Sequence, residues 1–181
     1  MKAQKLDRSR AALLVVDIQE KLAPAMAADQ LERAKKRTLA AITGAKALGL
    51  PIVVTEQYPK GLGRTLPEIQ AAAAVTPVEK VNFSCCVPEV EAQLGNRDQI
   101  LIVGMESHVC VFQTARDLAE RGKTPVLLMD AVLSRTDAER QLGLQLSKDA
   151  GAIISSVEAA LFDLLGRAGT PEFKAVSAAV K

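Results

Sequence analysis

The residues of this chain best suited to chemistry are an aspartate, a lysine and a cysteine, each placed at or soon after an apolar run. Asp17 follows AALLVV, Lys80 ends VTPVEK, and Cys110 comes shortly after QILIV. A thiolate is a strong nucleophile, a carboxylate can take a proton, and an ammonium stabilises a nearby anion. These residues could therefore support nucleophilic catalysis by Cys110, with Asp17 or Lys80 as its activator.

Cys110 lies just after a predicted strand-to-helix turn. Residues 99–103 form an apolar run typical of a buried strand, Gly104 interrupts it, and from Ser107 apolar residues recur at helical spacing up to Gly122. The first N–H groups of a helix are unpaired and carry the positive end of its dipole. We therefore expect the start of this helix to favour the thiolate of Cys110 over the thiol.

The chain has one histidine, His108, and its position argues against a Cys–His pair. His108 precedes Cys110 by two residues, and side chains at that spacing point to different sides of a helical turn. One histidine also excludes a histidine-rich metal site. Asp17 and Lys80 remain as candidate activators of the cysteine.

The elements that must position these residues alternate between strand and helix. Apolar runs predict strands at 11–16, 51–55, 75–80, 99–103, 124–129 and 152–154. Helical periodicity is typical of 30–48, 107–122, 137–150 and 157–165, with a brief helix ending near residue 94. This alternation predicts a three-layer α/β/α fold, with a doubly wound, Rossmann-like sheet of about six mainly parallel strands.

Doubly wound sheets bind ligands beyond the carboxyl ends of their strands, near the point where the strand order reverses. This rule selects four residues that we place at or just past strand ends: Asp17, Lys80, Cys110 and Asp130. The segment EQYPKGLGRTLPE (56–68) contains the proline, glycine and polar residues of a long loop, and such loops commonly serve as lids or binding loops.

Length and composition are those of an ordinary globular protein. The 181 residues suit a single domain over 1–181, with a core from about 10 to 165 and a peripheral tail after Gly166. With 23 basic and 21 acidic residues and 3% aromatic residues, no nucleic-acid partner is expected. The first ten residues lack the apolar run of a leader, and no window is long enough to span a membrane. Three cysteines without paired spacing favour the cytoplasm.

Common α/β nucleotide and hydrolase motifs are missing. The chain contains no G-x-G-x-x-G after its first strand, no G-x-x-x-x-G-K-[ST] and no G-x-S-x-G. A dinucleotide fingerprint, a phosphate-binding P-loop and a serine-hydrolase elbow are therefore all excluded.

Four segments of the chain are similar to one known family. LLVVDIQ, VEKVNFS, IVGMESHVCVFQTA and DAVLSR resemble the isochorismatase-like cysteine hydrolases, and the resemblance covers residues 10 to 165. It implies the isochorismatase-like fold, with Cys110 as the nucleophile that attacks an amide-type carbonyl and forms a thioester. It further implies that Asp17 is the general acid/base and that Lys80 holds the carboxylate and the thiolate in place.

The resemblance also implies an oxyanion hole at the cysteine turn. Its donors would be the backbone N–H groups of Glu106 and Cys110, around a cis peptide bond between Met105 and Glu106. We further expect the substrate pocket to include side chains from the loops around this site: Gln57, Tyr58, Phe83 and His108. TEQYPKGLG and ESHVC resemble the uncharacterised branch of isochorismatase domain-containing proteins, so the substrate stays open.

Two departures from relatives narrow the expected reaction. The Asp-x-His metal motif of nicotinamidases is replaced by TEQYPKGLG, so we expect no metal cofactor. Isochorismatases that cleave a vinyl ether lack the nucleophilic cysteine, so its presence favours hydrolysis of a C–N bond in a small molecule. Relatives commonly form homo-oligomers, and we expect the same here. We also expect a structural pair between Asp130 and Arg135.

Two other functions fit the same residues. The chain could be a non-catalytic, oligomeric interaction protein that keeps the site as a relic. It could instead be a thiol redox protein that uses Cys110, with Cys85 or Cys86 as the resolving thiol.

Overall fold

A central six-stranded sheet organises the computed structural model, which describes residues 5–181. Its strands are β1 (Ala11–Val16), β2 (Ile52–Gln57), β3 (Val78–Lys80), β4 (Gln99–Met105), β5 (Thr124–Leu133) and β6 (Ile153–Ser155). All neighbours pair in parallel, in the order β3-β2-β1-β4-β5-β6. The predicted doubly wound sheet is therefore confirmed. Residues 1–4, which begin the segment expected to lack a leader, lie outside the described residues.

Helices cover both faces of the sheet. They are α1 (Ala28–Ala47), α2 (Pro59–Leu62), α3 (Pro67–Ala73), α4 (Pro88–Leu94), α5 (Phe112–Glu120), α6 (Asp137–Asp149), α7 (Val157–Leu165) and α8 (Pro171–Ala179). A π-helical turn, Ser107–Val111, joins β4 to α5. No helix within residues 5–181 is both long and apolar enough to cross a bilayer.

The central strand β1 shows why its sequence is apolar throughout. Leu13 and Val15 belong to the core under α1 and α7, whereas Leu14 and Val16 belong to the opposite core under α4 and α5. Successive side chains of a strand point to opposite faces, so a strand covered on both faces needs an unbroken apolar run. Because β1 is buried on both faces, its position in the sheet is fixed, and so is the position of Asp17, which directly follows it.

Several boundaries differ from the sequence prediction. The segment expected to be one long loop includes α2 and α3, and a proline begins each of these helices, where its missing N–H costs no hydrogen bond. Strand β5 continues to Leu133, so the prediction that Asp130 ends a strand is wrong. Pairing of Gly104 and Met105 with Val132 and Leu133 carries β5 past that point.

The segment after Gly166 also differs from the expected peripheral tail. It contains α8, whose Val176 is fully buried against the core beside α1. Arg37 of α1 donates a hydrogen bond from Nη1 to the carbonyl of Val180 at 2.8 Å. The end of the chain therefore packs onto the domain.

Gly104 permits the close pairing of β4 with β1. It pairs with Val16, its φ is +125°, and a Cβ at this position would lie 2.0 Å from the Val16 carbonyl oxygen. Only glycine allows this approach, which brings the residue after β1 close to the turn after β4. Because β1 and β4 flank the point where strand order reverses, this contact helps to build the ligand-binding edge of the sheet.

We expect Gly104→Ala to lower the free energy of unfolding by about 3 kcal/mol, because the new methyl group would collide with backbone rather than with a movable side chain. Gly49→Ala is the matched control, since Gly49 also has a positive φ, +70°, but no neighbouring atom within 4 Å of the place its methyl carbon would take. It should cost only about 1 kcal/mol. Urea unfolding measures both, and equal losses would contradict the steric argument.

Candidate active site

Asp17 and Lys80 form a buried ion pair at the carboxyl edge of the sheet. Asp17 follows β1 with a φ of +50°, and Lys80 is the last residue of β3. Lys80 Nζ lies 2.7 Å from Asp17 Oδ2, and the two side chains are 1% and 0% exposed. Thr55 Oγ1 donates a hydrogen bond to Asp17 Oδ1 at 2.7 Å. Both carboxylate oxygens therefore have a fixed donor.

Further acceptors surround the Lys80 ammonium. Nζ lies 2.9 Å from Gln57 Oε1 and 3.1 Å from each of the carbonyl oxygens of Asn82 and Phe83. Burial acts to lower the pKa of Lys80, but negative charge in the site outweighs it and raises that pKa, and at neutral pH the Asp17 carboxylate supplies this charge. Lys80 therefore remains a cation at neutral pH.

Cys110 faces Asp17 from the π-helical turn. The residue is 5% exposed, and its thiol lies beside the Asp17 carboxylate. Burial raises the pKa of Cys110 most, the negative charge of Asp17 raises it further, and Lys80 opposes both. The prediction that this position favours the thiolate is therefore wrong, because desolvation and a facing carboxylate outweigh the backbone at the helix start. The resting group is a thiol beside a carboxylate.

The backbone just before Cys110 follows an unusual path. The peptide bond between Met105 and Glu106 is cis. The carbonyl of Glu106 accepts hydrogen bonds from the N–H groups of Val109, at 3.1 Å, and Val111, at 3.2 Å. Within residues 5–181 no acceptor is positioned to pair with the N–H of Glu106.

Two charged residues predicted to pair with each other have other partners. Arg135 Nε donates to Glu106 Oε1 at 2.9 Å. Asp130 Oδ2 lies 3.5 Å from Arg37 Nε, and Asp130 Oδ1 accepts from the N–H of Val157 at the start of α7. The predicted Asp130–Arg135 pair is therefore wrong, because β5 runs on past Asp130 and turns its side chain towards α1 and α7.

A cavity of about 480 Å³ lies beside Lys80 and includes one of the four predicted pocket side chains. Its lining is Tyr58, Pro59, Lys60, Glu79, Lys80, Val81, Asn82, Val87, Pro88 and Glu89. Gln57 lies behind it, bonded through its side chain to Lys80 and to the carbonyl of Val81. Phe83 is 53% exposed, and His108 contacts Ser134 and Glu139 instead.

Two threonines that sequence reasoning missed connect the parts of the site. Thr114 Oγ1 accepts from the N–H of Cys85 at 2.9 Å and donates to the carbonyl of Cys110 at 2.6 Å. It thereby joins the loop after β3 to the cysteine turn. Thr55, which orients Asp17, is a polar residue at the end of the apolar run PIVVT, and that position is the one signal that could have identified it.

The other two cysteines differ in their surroundings. Cys85 is fully buried with Sγ 3.5 Å from Thr55 Oγ1, and burial, followed by the charge of Asp17, raises its pKa to about 12. Cys86 is partly buried, and its Sγ lies 3.9 Å from the carbonyl oxygen of Thr114. All three cysteines are free thiols.

Comparison with known proteins settles the family. A sequence profile of the isochorismatase domain matches residues 11–159. The chain belongs to the isochorismatase family. The earlier resemblance is confirmed, and with it the isochorismatase-like α/β/α fold.

Individual relatives of this isochorismatase-family chain carry different names. The secreted isochorismatase effector Isc1 of Phytophthora sojae is 42% identical over 77% of this chain and 70% of its own length. Isochorismatase domain-containing protein 2 of Bos taurus is 37% identical over 93% of this chain and 82% of its own length. The MAR1 ribonuclease structure from Caenorhabditis elegans superposes with a TM-score of 0.92 at 37% identity, covering 98% and 92% of the two chains. The isochorismatase family thus brings a hydrolase fold, while the names of its members point to no common substrate.

Proposed function

We propose that the chain is a metal-independent cysteine hydrolase that cleaves a C–N bond of amide type in a small molecule. The observation that carries this proposal is the position of the Asp17 carboxylate between the Cys110 thiol and the Lys80 ammonium, inside a buried site. A nucleophile in contact with a base that a third group orients is the general arrangement for covalent catalysis. The single histidine, held by Ser134, leaves the role of base to Asp17.

In the first half of the proposed reaction, Cys110 becomes acylated by the substrate. Asp17 takes the thiol proton as Sγ bonds to the substrate carbonyl carbon, and the carbonyl oxygen becomes an oxyanion. Collapse of this intermediate breaks the C–N bond, and Asp17 returns the proton to the leaving nitrogen. The products are an amine and a thioester on Cys110.

In the second half, water removes the acyl group. Asp17 takes a proton from the water as its oxygen attacks the thioester carbonyl. The second intermediate then breaks the C–S bond, and the proton passes from Asp17 to Sγ. The acid is released, the thiol is restored, and each proton that Asp17 took has been returned.

Lys80 holds the Asp17 carboxyl group in place throughout this cycle. Its ammonium lies 2.7 Å from Asp17 Oδ2, and acceptors from Gln57, Asn82 and Phe83 hold the ammonium itself. As Sγ loses its proton, the same cation offsets part of the growing negative charge. Lys80 therefore serves the base before the transfer and the nucleophile after it.

The oxyanion would be bound by the backbone N–H groups of Glu106 and Cys110. The N–H of Glu106, which pairs with no acceptor in residues 5–181, supports this assignment. Backbone donors fixed before the reaction stabilise developing charge without reorganising, and one such donor is typically worth about 3 kcal/mol in the transition state.

The substrate-binding part of the proposal centres on the cavity beside Lys80. Tyr58 lines it, and Gln57, Phe83 and His108 complete the proposed set of substrate contacts.

We further propose a homo-oligomer in the cytoplasm. Exposed apolar side chains near the edge strand β3, such as Val81 at 74% exposure, support association, and free thiols suit a reducing compartment.

Cleavage of RNA is a second candidate, favoured by one observation. The Caenorhabditis elegans structure that is 37% identical to this chain bears the name ribonuclease. The 3% aromatic content and the near balance of charge favour a small molecule instead. A single-stranded RNA oligonucleotide therefore belongs in the same activity screen.

The test is a screen of small amides, ureas, carbamoyl compounds and the RNA, using wild type and Cys110→Ala. We expect wild type to hydrolyse a C–N compound and Cys110→Ala to lose at least about 10³-fold in turnover, the scale for removing a catalytic nucleophile. Cys86→Ala is the matched control, a cysteine outside the triad, and should retain activity. Turnover that survives in Cys110→Ala, or activity on the RNA alone, would overturn the proposal.

A further inference from the structure

A polar cluster behind the cysteine turn, outside the triad, connects the turn to the segment between β5 and α6. The cluster consists of Ser107, His108 and Ser134. Ser134 Oγ lies 2.7 Å from Ser107 Oγ and 3.0 Å from His108 Nδ1, and it accepts a hydrogen bond from the N–H of Ser107 at 3.1 Å. Ser107 and Ser134 are fully buried. One hydroxyl thus makes three contacts with two consecutive residues of the turn.

The hydrogen atoms of this cluster can satisfy all the contacts among its three members at once. Ser107 Oγ lies 3.2 Å from the carbonyl oxygen of Arg140, so it can donate there and accept from Ser134. The Ser134 oxygen then accepts from the N–H of Ser107 and from Nδ1–H of His108. A buried network that satisfies all its members is rigid, whereas the loss of one member leaves a buried donor unpaired.

We infer that Ser134 is a positioning residue for the oxyanion donors of the proposed hydrolysis, and this inference rests on that proposed function. The peptide group between Glu106 and Ser107 is held at both ends. Its carbonyl accepts from Val109 and Val111, and its N–H donates to Ser134. That peptide group is joined through the Cα of Glu106 to the N–H of Glu106, so holding it restricts the backbone rotation of the residue that carries the proposed donor.

Neighbouring contacts strengthen the same connection. Arg135 binds the side chain of Glu106, so two consecutive residues after β5 hold both the backbone and the side chain of the turn. Helix α6 packs closely against the turn, since a Cβ on Gly143 would lie 2.4 Å from the Ser107 carbonyl carbon. The turn is thus enclosed between α6 and the segment after β5, and Ser134 supplies the directional contact.

Two reagents can separate positioning of the oxyanion donors from general damage to the site. Attack of Cys110 on 4-nitrophenyl acetate forms an oxyanion and releases nitrophenolate, so the acylation rate depends on the donors. Alkylation of Cys110 by iodoacetamide displaces iodide and forms no oxyanion, so its rate reports the thiol alone. Neither probe requires the natural substrate to be known.

We expect Ser134→Ala to slow acylation by at least about tenfold, less than deletion of a donor, while alkylation of Cys110 stays within about twofold of wild type. Ser134→Thr, which keeps the hydroxyl, should restore acylation. Ser147→Ala is the matched control, because Ser147 is a buried serine of α6 whose hydroxyl has no partner within residues 5–181, and it should alter neither rate.

The inference is overturned if Ser134→Ala is acylated at the wild-type rate, or if its acylation and alkylation rates fall by the same factor. If Ser134→Ala does not fold, Ser134→Val and Ser134→Thr provide the same comparison between side chains of matched shape. Equal acylation rates for these two variants would also overturn the inference. Failure of the proposed function would give a different experimental result. In that case Cys110→Ala would still release nitrophenolate at the wild-type rate, whatever Ser134 variants do.

Discussion

Replacing Asp17 with asparagine is expected to lower turnover by about 10³-fold, within the range for loss of a general base, and at the same time to lower the pKa of the Cys110 thiol. The negative charge of Asp17 is one of the causes that raise this pKa. Its removal should let the thiolate form at lower pH while no group remains to take and return the proton. A more easily ionised but inactive cysteine would assign the base function to Asp17.

The measurement is the pH dependence of Cys110 alkylation by iodoacetamide, followed by peptide mass, beside turnover of the amide found in the screen. The midpoint for Asp17→Asn should lie below that of wild type. Lys80→Met supplies the opposite sign, since Lys80 acts to lower the pKa of Cys110 and its loss should move the midpoint up. Shifts in one direction for both variants, or full turnover by Asp17→Asn, would refute this account.

The second large effect concerns stability. Lys80→Met should lower the free energy of unfolding by about 3–5 kcal/mol, because it leaves the Asp17 carboxylate buried without its cation. Asp17→Asn should have a cost of similar size for the converse reason. The double variant Asp17→Asn/Lys80→Met should lose clearly less than the sum of the two, since neither charge then remains unpaired.

Urea unfolding of the four proteins measures this coupling. Arg33→Met is the matched control, because the Arg33–Asp29 pair lies on the surface of α1 with side chains 78% and 65% exposed. An exposed pair is worth about 0.5 kcal/mol. Additive losses in the cycle, or a Lys80→Met variant as stable as Arg33→Met, would show that the buried pair is not coupled in the way its geometry suggests.

Most of the fold could be predicted from local patterns. The apolar runs and helical periods placed every strand of the sheet, and they gave the bounds of α7 without error. Boundaries failed where tertiary pairing decided them. Strand β5 extends past Asp130 because β4 continues beside it, and α8 is held by its contact with α1 rather than by a strong apolar period.

The candidate site was predicted in part, for a reason that its residues make clear. Asp17 and Lys80 follow apolar runs whose ends are visible in the sequence, so topology alone placed them at one edge of the sheet. Thr55, Thr114 and Ser134 act through hydrogen bonds to residues distant in the chain, and no local pattern marks such partners. The expected thiolate at Cys110 failed likewise, because its pKa depends on burial and on a carboxylate from another strand.

The sequence by itself determined the alternation of strands and helices, the order of Asp17, Lys80 and Cys110 along the chain, and the family. These features depend on local hydrophobic period and on short motifs, which can be read without coordinates. Only the tertiary structure decided that β1 lies between β2 and β4, which brings Asp17 between Lys80 and Cys110. It also decided which hydrogen bonds hold the cysteine turn. The physical reason is that charge and hydrogen-bond energies depend on distances across the sheet, whereas the sequence displays only neighbours along the chain.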